Sequence, residues 1–157
     1  FAGARYIVGT DLSEYRRNLA LKMGATMVID PRKESIKDAM KSLGMVGGFD
    51  IGLECSGSSA AFGDMVENMY NGGKISLLGL LPSSTQINWS KLIFKGLTMK
   101  GIYGREMYET WYQMEMMLSH GLNISPVITH RFQADNYQEA FQIMEEGNCG
   151  KIILDWE

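Results

Sequence analysis

The sequence predicts an α/β fold built on a doubly wound, mainly parallel sheet. Three observations carry that prediction. Apolar bursts rich in Val, Ile and Leu recur along the chain: "YIVGT", "TMVID", "FDIGLEC", "KISLLGL", "LTMKGIY", "PVITHRF" and "KIILDW". Segments of helical periodicity lie between them, as parallel neighbours require of their crossovers. The first burst ends on an acid, Asp11, at the strand end where doubly wound sheets gather ligand-binding groups.

Each element follows in order. "FAGAR" reads as the last turn of a helix closed by Gly3, so the chain is expected to begin inside a fold. After "YIVGT", Ser13 caps a helix over Glu14–Met23 and Gly24 stops it. "TMVID" is a strand, Ser35–Leu43 a helix and "FDIGLEC" a strand. The helix Ala60–Tyr70 is expected to stop at Gly72 and Gly73. "KISLLGL" leads into "LPSSTQINWSKLIFKG", which has turn chemistry first and an amphipathic segment, Trp89–Lys95, after it. The strand "LTMKGIY" follows that long connection and is expected at the sheet edge. A helix over Glu106–His120, ended by Gly121, carries Met107, Trp111, Met114 and Leu118 on one face, which core packing explains. "PVITHRF", a helix over Tyr137–Glu145 ended by Gly147, and "KIILDW" complete the chain.

With 157 residues, 45% of them hydrophobic, the chain is long enough for one domain, residues 1–157, with a real core. A net charge of -3 spread along the sequence argues against nucleic acid as a partner. Cys55 and Cys149 lack metal-type spacing, and 12 methionines suit a reducing compartment, so a cytoplasmic location is expected. No apolar run reaches the roughly 20 residues of a membrane span.

Asp11 precedes a helix bearing Arg16 and Arg17, which puts a carboxylate at the carboxyl edge of the sheet. A carboxylate there accepts hydrogen bonds from both hydroxyls of an adenosine ribose and repels a 2'-phosphate, so NAD is expected over NADP. A plain Asx turn is the competing reading. Arg16 either lies along the ribose or adenine or tolerates a phosphate. The GxGxxG turn of such folds precedes its acid by about 20 residues, and Asp11 comes too early for one. Either the chain is a segment truncated at its amino-terminal strand and glycine loop, which is the preferred reading, or it is an independent domain with unusual phosphate chemistry.

"LECSG" and "LLGLLP" end strands on one crevice, where Gly57 and Gly79 either let a flat ring or pyrophosphate approach or are plain turns. Glu54 is a buried polar anchor or a solvated loop acid. His120 and His130 read as structural. No acid–base pair, nucleophile triad or zinc-ligand cluster assembles from the remaining residues, so the chain reads as a cofactor-holding half.

The stretches "TDLSEYRRNLALKMGA", "FDIGLECSG", "GGKISLLGLLPSSTQINWSKLIFKGLTMKGIYGREMYETWY" and "ISPVITHRF" resemble the carboxyl-terminal part of the L-threonine 3-dehydrogenases, zinc-dependent members of the medium-chain dehydrogenases. The third is the specific one. The resemblance implies a Rossmann-type NAD-binding domain whose last strand or helix leads back toward a catalytic domain. It implies that Asp11 is the ribose-binding acid and that Arg16 contacts the adenosine end. Leu78, Gly79 and Leu80 would border the nicotinamide, with Ile102 and Tyr103 as a second contact there. The catalytic zinc, its ligands, the proton relay and the glycine loop would lie upstream, so this segment would bind no zinc and have no catalytic residue. The parent would oxidise L-threonine to 2-amino-3-oxobutanoate, and copies would pair through the strand Leu97–Tyr103. A polyol or secondary-alcohol dehydrogenase and a non-catalytic nucleotide-binding or oligomerisation module are the rival readings.

Overall fold

The computed structural model describes all residues, Phe1–Glu157. In chain order the elements are β1 (Val8–Thr10), α1 (Glu14–Lys22), β2 (Met27–Ile29), α2 (Ile36–Ser42), β3 (Phe49–Glu54), α3 (Ser59–Asn68) and β4 (Met69–Leu77). They continue with α4 (Trp89–Lys95), β5 (Thr98–Gly101), α5 (Glu109–Ser119), β6 (Ile128–Gln133), α6 (Tyr137–Glu146) and β7 (Lys151–Asp155). Every ladder is parallel, as the alternation of bursts and helices predicts. The strands form three sheets rather than one: β1-β2, β3-β4-β5 and β6-β7. The three sheets share no strand. No helix is long and apolar enough to cross a membrane.

Two compact units contain these elements. The first comprises Phe1–Ser35 and Tyr108–Glu157. In it, β1 and β2 run in register from Val8 opposite Met27 to Thr10 opposite Ile29, with α1 as the crossover. The Ser13 hydroxyl accepts from Arg16 N (3.3 Å) and donates to Gly147 O (2.9 Å), so one side chain caps α1 and ties it to the end of α6. Gly147 adopts φ 73° as the left-handed cap of α6. Three expectations fail in this unit. Phe1–Arg5 forms no helix, although Gly3 has φ 87°. The helix α5 starts at Glu109 rather than Glu106, because Tyr108 takes φ 66°, ψ -45° and breaks the helical path. The stripe on α5 is not core: Trp111 and Met114 are exposed, Leu118 is half-buried and no α5 residue is buried.

The second unit is Ile36–Met107. Its core is Phe62, Val66, Met69, Ile75 and Leu92, so α3 and α4 pack on the sheet face that Ile75 presents. Strand partners share a face, and Ile51 and Leu53, out of phase with Ile75's partner Gly52, are exposed on the other. Helices of this unit therefore cover one face, where cover on both is expected from the sequence. Strand β5 lies at the edge, as its long connection predicts. Gly72 and Gly73 do not stop α3. They lie within β4, where the ladder jumps from Phe49–Met69 to Ile51–Lys74. The end of α3 is satisfied instead by Lys95, whose Nζ donates to the carbonyls of Val66 (3.1 Å), Glu67 (2.6 Å) and Met69 (2.9 Å). An ammonium that saturates orphan carbonyls at the negative end of a helix removes the need for a left-handed glycine. Burial, with the nearby Lys91 and Lys37 charges, lowers the Lys95 pKa from its ordinary value.

Candidate functional site

At the carboxyl end of β1, the Asp11 N–H donates to Ile29 O (3.3 Å), which fixes the residue against β2. Its Oδ1 accepts from Ser13 N (2.8 Å), so the predicted Asx turn is present. Its Oδ2 has no protein partner, and the turn leaves one carboxylate oxygen for a ligand. The two readings of Asp11 are thus compatible. Arg16 is exposed, with no hydrogen bond or ion pair from its side chain. The guanidinium that grips the turn belongs to Arg17, whose Nη1 donates to Asp11 O (2.7 Å).

Asp30 ends β2 as Asp11 ends β1, and sequence reasoning passed over it. It is 4% exposed and receives Arg32 in a fork, Nε to Oδ1 at 2.8 Å and Nη2 to Oδ2 at 2.6 Å. Arg17 adds a contact at 3.5 Å. Arg32 Nη2 also donates to Leu12 O (2.9 Å). The Arg32 hydrogen bonds outweigh burial and, with the Arg17 charge, hold the Asp30 carboxyl far below the usual carboxylate range. The signal that would have found it is "VIDPRK", an acid at a strand end with an arginine two residues on.

At the carboxyl ends of β3 and β4, Glu54 is the buried anchor rather than a solvated acid, 1% exposed. Its Oε1 accepts from Ser56 Oγ (2.6 Å), Ser56 N (2.9 Å) and Gly57 N (3.1 Å). Burial raises its pKa, but these bonds outweigh burial and leave the carboxyl below its ordinary value. Gly57 has φ 69°, and a Cβ there would sit 2.7 Å from Leu80 O. A Cβ on Gly79 would collide with Gly57 N and Glu54 Oε2. Both glycines are therefore required by contact of protein with protein, whatever ligand they also admit. Leu78 N and Gly79 N donate to Glu54 O (2.8 and 3.0 Å), binding the two strand ends together. Leu78 and Leu80 are exposed beyond β4, and Ile102 and Tyr103 beyond β5, where Ile102 N donates to Leu77 O (2.9 Å). These residues follow the carboxyl ends of neighbouring strands of one sheet. Asp11 and Arg16 belong to the other unit.

The histidines make local contacts. His120 Nδ1 lies 2.7 Å from Met116 O, and His130 Nδ1 lies 2.9 Å from Thr129 Oγ1 while its ring stacks on Phe132. Burial, with the Glu54 charge, pushes the Cys55 thiol up, away from nucleophile chemistry. No three His, Cys, Asp or Glu side chains come together to hold a metal, so the residues present do not fit a zinc centre.

Residues 1–120 match the family model described as zinc-binding dehydrogenase. The chain is 55% identical over 154 residues to L-threonine 3-dehydrogenase of Colwellia psychrerythraea, covering 98% of this chain and 45% of that protein. It is 54% identical over 155 residues to L-threonine 3-dehydrogenase of Vibrio cholerae, covering 99% and 45%. Among solved structures it is similar to 2R,3R-butanediol dehydrogenase from Bacillus subtilis, with a TM-score of 0.84, 22% identity and coverage of 98% and 45%, a likeness of fold. The chain spans about half the length of the curated relatives it matches.

Proposed function

The chain belongs to the zinc-binding dehydrogenase family, and from that premise we propose that it is the cofactor-binding part of an NAD-dependent enzyme oxidising L-threonine to 2-amino-3-oxobutanoate. The observation that carries this reading is 55% identity across 98% of the chain to a protein of that name. The strand pairing supports a dinucleotide fold: every ladder is parallel and each pair of neighbouring strands is joined by a helical crossover, as in doubly wound domains. The Asp11 carboxylate would accept from the ribose hydroxyls of the adenosine. Arg16, exposed and unpaired, would lie along the same end. Leu78, Gly79 and Leu80 would border the nicotinamide with Ile102 and Tyr103, excluding water by apolar cover. The nicotinamide, when bound, accepts the hydride. Copies of the enzyme would associate through the edge strand Leu97–Tyr103.

The test is turnover by the intact enzyme with NAD and L-threonine, set against sorbitol and 2,3-butanediol. A kcat/KM for L-threonine at least about tenfold above the polyols, a difference of about 1.4 kcal/mol in transition-state binding, is expected. Preference for a polyol refutes the substrate assignment. Failure to bind NAD refutes the cofactor assignment.

A further inference from the structure

Three guanidinium groups crowd the end of β1: Arg16 is free, while Arg17 and Arg32 donate to the backbone carbonyls of Asp11 and Leu12 at 2.7 and 2.9 Å. The Arg17 guanidinium, bound to the carbonyl of Asp11 itself, lies within a short rearrangement of the Asp11 carboxylate, and Arg32 is held one residue further on. Bidentate pairing of arginine with carboxylate is among the strongest polar contacts available. Yet Asp11 Oδ2 has no protein partner. Asp30 accounts for this. It takes the Arg32 fork at 2.8 and 2.6 Å and a contact from Arg17 at 3.5 Å, which fixes both cations where they serve the turn. The cluster is a built one, since the Asp30 side chain is 5% exposed and that of Arg17 13%.

We propose that Asp30 is a positioning residue that sets the choice between a dinucleotide with a free 2'-hydroxyl and one with a 2'-phosphate, by holding Arg17 and Arg32 off the Asp11 carboxylate and off an incoming phosphate. The proposal rests on Asp11 being the ribose acceptor. With Asp30 present, three cations face two anions at this strand end. Without it, three face one, Arg32 is free to swing, and the site acquires the arginine that 2'-phosphate recognition uses.

The experiment is titration of the intact enzyme with NAD and with NADP, followed by protein fluorescence. Asp11→Ala serves as the reference: unchanged NAD binding would show that the reading of Asp11 itself is wrong. Given that Asp11→Ala weakens NAD, Asp30→Asn is expected to narrow the NAD preference about tenfold by tightening NADP as it weakens NAD. Arg32→Ala in the Asp30→Asn background is expected to abolish the gained NADP affinity. A parallel loss of NAD and NADP, which a merely structural cluster would produce, overturns the proposal. Should Asp30→Asn not fold, Arg32→Lys decides instead, because a lysine keeps a cation beside the buried Asp30 while giving up the fork and its reach to Leu12 O. NAD binding should then weaken about threefold while NADP binding does not improve. Unchanged NAD binding, tighter NADP binding or a parallel loss of both would sink the idea.

Discussion

The strand ends of the two units are organised by opposite means. Beyond β1 and β2, long charged side chains from Arg17, Asp30 and Arg32 reach across to hold a backbone turn. Beyond β3 and β4, two glycines and one buried acid do it, Gly57 and Gly79 letting backbones meet while Glu54 collects their N–H groups. A turn held by flexible ions is adjustable, and its net charge can be retuned by one substitution. A turn held by missing side chains is rigid, because any added atom collides. Under the proposed function, the first would discriminate between charged ligands and the second would form a flat apolar wall.

The largest expected effect tests the rigid end. Gly79→Ala should destabilise the fold by about 3 kcal/mol, since its Cβ meets backbone and a buried carboxylate that cannot withdraw. Leu80→Ala, one residue on and 94% exposed, should stay within about 0.5 kcal/mol. Urea midpoints check both, and equal shifts would erase the contrast. Next comes the adjustable end: Asp11→Ala in the intact enzyme should weaken NAD by about 2 kcal/mol and lessen discrimination against NADP, with Arg16→Ala weaker in effect. The Michaelis constants for NAD and NADP measure it.

A smaller effect separates the two ends by pH. Glu54 has a folded pKa below its ordinary 4.5, so its carboxylate contributes stability above that value and loses it as pH falls through the folded pKa. Glu54→Gln should cost about 1.5 kcal/mol at neutral pH and flatten the acid limb of the melting curve. If the acid limb keeps its slope, Glu54 is not the titrating anchor. The smallest effect is on association. Ile102 N donates to Leu77 O, so by the strand's two-residue repeat the N–H groups of Met99 and Gly101 face away from β4. Gly101→Pro should therefore weaken self-association about tenfold in light scattering while sparing the β4 ladder. A dimer indifferent to Gly101→Pro assigns pairing to another surface.

The parallel pattern was legible because buried parallel strands are near-continuous apolar runs and their crossovers are periodic. Trp89–Lys95 was read with its bounds intact, since Asn88 and Gly96 mark both ends by local chemistry. What sequence could not show was tertiary substitution. Gly72 and Gly73 look like a helix stop, but Lys95, 26 residues beyond Met69, caps that helix from outside it. The stripe on α5 has core periodicity, yet periodicity names a face without naming what covers it. Asp11 stands out in the sequence because it follows a strand and precedes arginines. Asp30 also ends a strand shortly before an arginine, and its link to the turn emerges only when Arg32 is seen to reach Leu12.

The lysine that closes α3 has a consequence for chemical reactivity. An ammonium donating to three carbonyls at 2.6 to 3.1 Å has spent its protons on the backbone, and an amine must lose a proton and face solvent to attack an acylating reagent. Lys41 and Lys100, with exposed side chains, should be modified at once under limiting reagent. Lys95 should be modified only when the end of α3 lets go of it. Its labelling rate, read by mass spectrometry against those two lysines, is then a clock for the opening of this unit, measured on the unaltered protein.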